Sequence, residues 1–483
     1  MVEHETVVGL ECHVELATRT KMFCACPNEF GAEPNTNVCP VCLGHPGTLP
    51  AANRQAVEYT MKIALALGSE VAPRSLFHRK NYFYPDMPKN YQISQYDLPI
   101  GAGGYLDIEV RGVTRRIGMT RVHLEEDTGK TTHAGATGRI AEAEYALEDY
   151  NRAGVPLVEV VSEPDIRSPE EARAYLLELR ALLESLGVSD VRMEEGSLRC
   201  DANISVRPAG NPELGVKVEV KNMNSIRSVE RALRFEAERQ REALARGEEL
   251  TQETRHWDED KGFTSPLRSK EYAFDYRYFP EPDLAPIEPD TEWIDRLRAE
   301  LPELPAAKRA RYVETLGLDP AMAGQIAGRG SWASFFEETV ELGADAKATA
   351  NWMIGDLAGL LNEAGISLEE SQVKPRHLAD LVGLVSKSTI STAGAKQVLA
   401  KVFATGKAAD EVVEEKGLAQ ISDESALGAI ADEVITENPE PVEQFRNGKD
   451  TVIGFLVGQV MKKSKGAANP QEAQRLLRER LAG

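Results

Sequence analysis

The 483-residue sequence has no apolar run near the 18 residues that a membrane-spanning helix needs. Its opening, MVEHETVVGLE, lacks a basic segment followed by an apolar stretch, so secretion is not expected and a cytoplasmic location is. Positive charge is scarce: 56 Lys and Arg stand against 77 Asp and Glu, a formal net charge of -21. That balance disfavours non-specific binding to nucleic acid but leaves room for a local basic site. Two phosphate-binding signatures are incomplete. Gly129-Lys130-Thr131 has Leu124 where a P-loop requires glycine, and Gly101-Ala102-Gly103-Gly104 has Leu106 where a dinucleotide fingerprint requires its third glycine. The second stretch reads instead as a turn between strands. There is no long internal repeat and no low-complexity tract. With 42% hydrophobic and 28% charged residues, the composition is that of a folded globular chain of two to four domains.

Cysteine is sparse, six in all, yet four are clustered as C-x-C, twelve residues, then C-x-x-C: Cys24, Cys26, Cys39 and Cys42. Two closely spaced thiol pairs point to tetrahedral zinc more than to disulfides. The bland alternative is a set of reduced, free thiols. Four thiolates would leave no open position, so such a site would be structural. Cys12 beside His13 suggests a thiol nucleophile, but neighbours on a strand point to opposite faces and cannot cooperate directly.

Residues 78–96, HRKNYFYPDMPKNYQISQY, place Tyr82, Phe83, Tyr84, Tyr91 and Tyr96 among Arg79, Lys80 and Lys89. The run is too polar for a core strand, and Pro85 and Pro88 break it as a helix. Fixed cations beside tyrosine hydroxyls suit a phosphate or a nucleic-acid end. A packed, proline-turned loop with solvated lysines is the alternative.

The first 280 or so residues mix strands and helices. Ser168-Pro169-Glu170-Glu171 predicts a capped helix that ends at Gly187. Other helices are expected over about 228–246 and 52–67. The strand patterns are one-sided. Glu11, His13 and Glu15 oppose Leu10, Cys12, Val14 and Leu16. Arg199, Asp201, Asn203, Ser205 and Arg207 oppose Leu198, Cys200, Ala202, Ile204 and Val206. Lys217, Glu219 and Lys221 oppose valines. Leu157–Glu163 shows Glu159 and Glu163 on one side, and Arg121, His123 and Glu125 alternate with Val122 and Leu124, with Glu126 next. Such patterns predict an antiparallel sheet with helices on one face and carboxylates on the other.

After a proline- and acid-rich linker or strap at 280–292, the pattern from about 294 is helical. Near the end the charge segregates. Residues 405–440 hold ten acids against two lysines; residues 441–483 hold eight Lys or Arg against four acids. The basic end could face a polyanion, or could be a solvated helical end.

Glu11, His13, Glu125, Glu126, Asp201 and Glu219 are the candidate metal ligands. Magnesium takes oxygen ligands and is commonly shared between carboxylates and substrate phosphates. Arg199, Lys217 and Lys221 could neutralise phosphate beside them. The face therefore suits ATP with magnesium; otherwise these acids pair with nearby Lys and Arg on a solvated surface.

Eight segments together carry a family resemblance. They are VGLECHVEL (8–16), the two cysteine pairs, FHRKNYFYPDMPKNYQISQ (77–95), RVHLEEDTGK (121–130), DYNRAGVPLVEVVSEPD (149–165), LRCDANISV (198–206), VEVKNMNS (218–225) and DYRYFPEPDL (275–284). The chain resembles the B subunit of the glutamyl-tRNA(Gln)/aspartyl-tRNA(Asn) amidotransferase over essentially its whole length, including the tail around Gly466–Pro470. The resemblance implies an α+β fold. Residues 1–293 would be a catalytic cradle with an antiparallel sheet similar to that of glutamine synthetase and guanido kinases. Residues 294–407 would be an all-α domain, and 408–483 a small all-α, YqeY-like tail domain that contacts tRNA.

The implied reaction is a ligase reaction on mischarged Glu-tRNA(Gln) or Asp-tRNA(Asn). ATP phosphorylates the side-chain carboxylate, and ammonia displaces the phosphate. An amidase-like glutaminase subunit would release that ammonia from glutamine, and a small third subunit would join the two; this chain has no amidase-type Ser-Ser-Lys segment. Carried over residue by residue, Glu11, His13 and Glu125 become the first magnesium site, and Glu126, Asp201 and Glu219 ligands of a second cation or ATP contacts. Lys80, Tyr82, Lys89 and Tyr91 line the mouth where acyl end and ammonia meet. Arg199 and Lys221 contact phosphate, and Cys24, Cys26, Cys39 and Cys42 hold zinc. Two other readings remain: a free-standing ATP-dependent amide ligase of the glutamine synthetase type, acting on a small carboxylate, and a zinc-bearing tRNA scaffold without catalysis.

Overall fold

A computed structural model describes residues 4–134, 143–267, 276–420, 424–464 and 467–482. Two compact units divide the chain, Met1–Pro305 and Ala306–Gly483. The first opens with strand β1 (His4–Glu15) and helix α1 (Arg54–Ala66), then the short strands β2 (Glu70–Val71), β3 (His78–Asn81), β4 (Tyr91–Ser94) and β5 (Gly101–Ala102). The hairpin β6 (Tyr105–Val110) and β7 (Val113–Glu126) follows, then β8 (Lys130–Ala134) and β9 (Tyr145–Asp149), and β10 (Pro156–Ser162). Helix α2 (Pro169–Ser185), β11 (Leu198–Pro208), β12 (Val218–Lys221) and helix α3 (Ile226–Ala245) come next. Strands β13 (Glu253–Asp258), β14 (Phe263–Pro266) and β15 (Phe279–Pro280) and helix α4 (Thr291–Ala299) complete the unit.

The architecture is α+β. The main sheet runs β14-β13-β12-β11-β1-β10-β7-β5-β2, with β6 paired to β7. It is antiparallel except for β12 and β13, which run parallel. That departure from the expected antiparallel sheet has a simple cause: α3 joins the two strands, and a helical crossover returns the chain in the same direction. A second sheet, β15-β3-β4, holds the basic-aromatic segment.

Local chemistry fixes the helices. Ser168 Oγ accepts from the Glu171 amide at 3.1 Å, so α2 starts where its cap and Pro169 dictate. Asn53 and Ser225 cap α1 and α3 in the same way. The apolar side of the sheet supplies Val8, Leu10, Cys12, Val14, Ala202 and Ile204 to a core shared with Met61, Tyr175, Leu179 and Leu233 of the helices. Cys12 is buried there, opposite Cys200 on β11 and away from His13. The turn before β6 needs Gly104: it has φ +94°, and a Cβ would lie 2.6 Å from the Leu67 carbonyl oxygen. Gly129-Lys130 leads into the β8–β9 hairpin rather than a helix.

Segment 280–292 is a strap against the first unit: Ile287 exchanges hydrogen bonds with Ser75 at 2.9 Å. Helix α4, which the sequence pattern assigns to a domain starting at 294, packs on α1 instead. Trp293 Nε1 donates to Glu58 at 2.9 Å, Arg296 does so at 2.7 Å, and Leu297 is in the first core. The second unit is helical and has two cores. One draws on Tyr312 through Val413 and the other on Leu427 through Leu481. Helix Ala409–Lys416, expected in a tail starting at 408, buries Ala409, Val412 and Val413 in the first of these. No helix among the described residues is long and apolar enough to cross a membrane.

Candidate active site

Because β1 lies between β11 and β10, and β10 beside β7, four separate sequence patterns become one row across the polar face. His13 pairs with Arg199 on one side and Glu159 on the other, and Glu159 pairs with His123 of β7. Glu125, two residues further along β7, reaches into the same spot. His13 Nε2 is 3.9 Å from Glu125 Oε1 and 3.7 Å from Glu159 Oε2. His123 Nε2 lies 3.5 Å from Glu125 Oε2 and 3.1 Å from Glu159 Oε2. Ser94 Oγ, from β4, donates to Glu125 Oε2 at 3.0 Å. One ligand atom each from His13, Glu125 and Glu159 falls within 4.8 Å of the others.

Glu125, Glu159 and His123 are all buried. Burial opposes charge on His123, but hydrogen bonds to Glu125 and Glu159 prevail and push its pKa up to about 9. Both carboxyls sit below the usual carboxylate range: burial pushes them up, and the hydrogen bond to His123 together with the charges of His123 and His13 outweighs it. One imidazolium thus balances part of the charge of two buried carboxylates that face a second imidazole. This set of one nitrogen and two oxygens suits a divalent cation. Lys80 borders the group: burial works against its charge, and Glu125 and Glu159 are among the anions that raise its pKa.

Glu11 belongs to the adjoining row. It pairs with Asp201 and accepts from Asn203 Nδ2 at 2.8 Å. Asp201 in turn takes the Lys221 ammonium at 2.6 Å, and Glu219 takes it at 3.0 Å. Arg199 donates to Asp127 at 2.6 Å, with Arg152 3.5 Å from the same oxygen. Glu15, next to Asp127, is pushed up to about 8 by burial and by the Asp127 charge.

The basic-aromatic segment divides. In the small sheet Lys80 pairs with Gln92 and Asn81 with Tyr91, so alternation turns Lys80 and Tyr91 to opposite faces. Tyr82 stacks on Tyr84 with centroids 5.8 Å apart. Tyr91 lies under the Arg79 guanidinium at 4.3 Å. Lys89 donates to Glu126, which also accepts the Ile93 amide at 2.9 Å. Adjacent positions on β7 therefore separate Glu126 from Glu125 and from the Glu11–Asp201–Glu219 acids. The Lys89–Glu126 pair lines a small pocket with Tyr91, Gly44, Cys24 and Cys42.

Cys24, Cys26, Cys39 and Cys42 form a second possible metal-holding group. The Cys39 and Cys42 sulfurs are 3.9 Å apart. Cys42 is pulled down to about 4, first by its hydrogen bond with Cys24 and also by Lys21, whose buried ammonium is 3.8 Å from the sulfur.

Glu159 and His123 are the site residues that the sequence candidates omit. Their alternation is visible in the sequence; their meeting with His13 depends on a register that it does not show.

This site sits on a chain whose residues 6–295 match the family model for the GatB/GatE catalytic domain, and whose residues 334–481 match the GatB domain. The aspartyl/glutamyl-tRNA(Asn/Gln) amidotransferase B subunit of Moorella thermoacetica is 56% identical over 480 residues, 99% of this chain and 100% of the relative. The protein of the same name from Carboxydothermus hydrogenoformans is 53% identical over 482 residues, and that from Brevibacillus brevis 52% over 479; both are covered over at least 99% of their length. The chain belongs to this family of amidotransferase B subunits.

Proposed function

We propose that the chain is the ATP-using, tRNA-binding subunit of a glutamine-dependent amidotransferase, a ligase that forms carbon–nitrogen bonds. Its substrates are mischarged Glu-tRNA(Gln), Asp-tRNA(Asn) or both. The side-chain carboxylate takes the terminal phosphoryl group of ATP, giving an acyl phosphate and ADP. Ammonia then attacks the acyl carbon, phosphate leaves, and Gln-tRNA(Gln) or Asn-tRNA(Asn) is formed. The observation that carries this reading is the His13–Glu125–Glu159 group with Lys80 beside it, on a chain related end to end to proteins named for this reaction.

His13, Glu125 and Glu159 would hold magnesium, with Glu11 in the next row. The ion supplies neutralisation of charge on the transferred phosphoryl oxygens. A second cation at Glu126, Asp201 or Glu219 has to compete with Lys89 or Lys221 for those carboxylates. Arg199 and Lys221 are placed to exchange their carboxylate partners for phosphate. Lys80 and Tyr82 border the acyl end, and Lys89 and Tyr91 the cavity from which ammonia arrives. We assign Cys24, Cys26, Cys39 and Cys42 to structural zinc: thiolates tetrahedrally placed at ~2.3 Å stand about 3.8 Å apart, close to the 3.9 Å between Cys39 and Cys42.

The ammonia source is an amidase-like glutaminase subunit, joined through a small third subunit in a cytoplasmic heterotrimer. We assign the sheet unit to the cradle type of glutamine synthetase and guanido kinases, from its one open acidic face. We assign the third core, with the basic tail residues, to tRNA contact.

Reconstitution with both partner subunits tests the reading. The wild-type complex should amidate mischarged tRNA and hydrolyse ATP in response to it. Glu125→Ala should abolish both yet leave the partner's glutaminase activity. Surviving tRNA-driven ATP hydrolysis overturns the metal assignment; turnover with free glutamate and ammonia, without tRNA, favours the free-standing ligase.

A further inference from the structure

The small sheet carries more exposed aromatic surface than a wall for lysines requires. Tyr96 and Tyr278 stack nearly parallel, with centroids 4.5 Å apart and planes at 12°, and Tyr96 is 53% exposed. Tyr276 meets Tyr278 edge-on, and the Lys80 ammonium lies 4.9 Å from the Tyr276 ring. Through Tyr276, whose ring centroid is 6.1 Å from that of Tyr278, the stack adjoins Lys80 at the border of the carboxylate group. A stacked, half-exposed pair of rings gains little by facing water, and a base has a π-face that matches it.

Resting on the amidotransferase reading, we infer that the Tyr96–Tyr278 stack is a platform for the adenine of the tRNA's 3′-terminal nucleotide. The reacting aminoacyl group is esterified to that nucleotide's ribose. A side-chain carboxylate held at the Lys80 ammonium therefore brings the terminal base to the rim beside it. Stacking binds the base by its face, which every tRNA offers alike, so one platform serves both Glu-tRNA(Gln) and Asp-tRNA(Asn).

The test uses the reconstituted complex and a tRNA whose terminal adenine is replaced by 2-aminopurine. Binding should quench its fluorescence in the wild type and in Tyr96→Phe, and the quench should be lost in Tyr96→Ala and Tyr278→Leu. Tyr96→Ala should also raise KM for mischarged tRNA by about fivefold or more, with KM for ATP unchanged. A full quench in both disruptive variants overturns the inference. A rise confined to KM for ATP overturns it in favour of the nucleotide's own adenine. Loss of the partner subunits from Tyr96→Ala, with tRNA affinity intact, overturns it in favour of a protein interface. The quench is read without turnover, so a complex that binds and quenches but never amidates sinks the proposed function and not the platform.

Discussion

Glu159 shows how one residue's role depends on its neighbours. It shares His123 with Glu125 and faces His13 from 3.7 Å, so it has the geometry of a ligand rather than of a surface acid. Glu11, by contrast, is tied to Asn203. Glu159→Gln should raise the magnesium concentration for half-maximal tRNA-driven ATP hydrolysis by roughly tenfold or more, and by more than Glu11→Gln does. Magnesium titrations of the two variants check this, and the reverse order contradicts the grouping. Glu15 gives a stability prediction. Its pKa rises on folding from 4.5 to about 8, so its favourable contribution is full below about 4.5 and is lost as pH rises through about 8. Glu15→Gln should match the wild type at about pH 5 and exceed it at about pH 9 in urea midpoint; equal midpoints at the higher pH would rule out a half-buried, protonated Glu15.

At the scale of elements, the one-sided alternation in β1, β7, β10, β11 and β12 makes the acidic face legible, and Ser168 with Pro169 makes the start of α2 legible. What the sequence leaves open is register and crossing. Nothing local says that Glu159 lies opposite His13, that α3 turns β13 parallel to β12, or that Glu126 leaves the acids for Lys89. These follow from long-range pairing, which a period of two does not encode. The cysteine knuckle is legible by spacing, yet its contact with the site is not. Gly44 has φ +67°, and a Cβ there would lie 2.5 Å from the Lys89 Cγ. Gly44→Ala should cost about 1–2 kcal/mol from the left-handed backbone alone and should displace Lys89. Thermal melts and amidation rates measure the two effects; a variant with unchanged melting and rate contradicts this packing. Under the zinc assignment, stripping zinc and then restoring magnesium should leave amidation lowered in the wild type through the same contact, and an unchanged rate contradicts that link.

At the scale of the whole molecule, the chain is acidic, but its basic end, with eight Lys or Arg against four acids over 441–483, overlaps the third core at 427–481. Truncation after Leu418 spares the core that holds Val412 and Val413. It should weaken tRNA binding roughly tenfold or more at moderate salt, as lost phosphate contacts do, and leave magnesium dependence unchanged. Filter binding at two salt concentrations checks it, and equal affinity contradicts a tail role. An activated acyl group on tRNA is the intermediate proposed for this chain. Its most direct measurement is trapping with hydroxylamine: the complex, mischarged Glu-tRNA(Gln), ATP and magnesium, with glutamine and ammonia withheld. A γ-glutamyl hydroxamate should form, dependent on ATP and absent in Glu125→Ala. Amidation on adding ammonia, with no hydroxamate formed in its absence, would contradict the proposed intermediate.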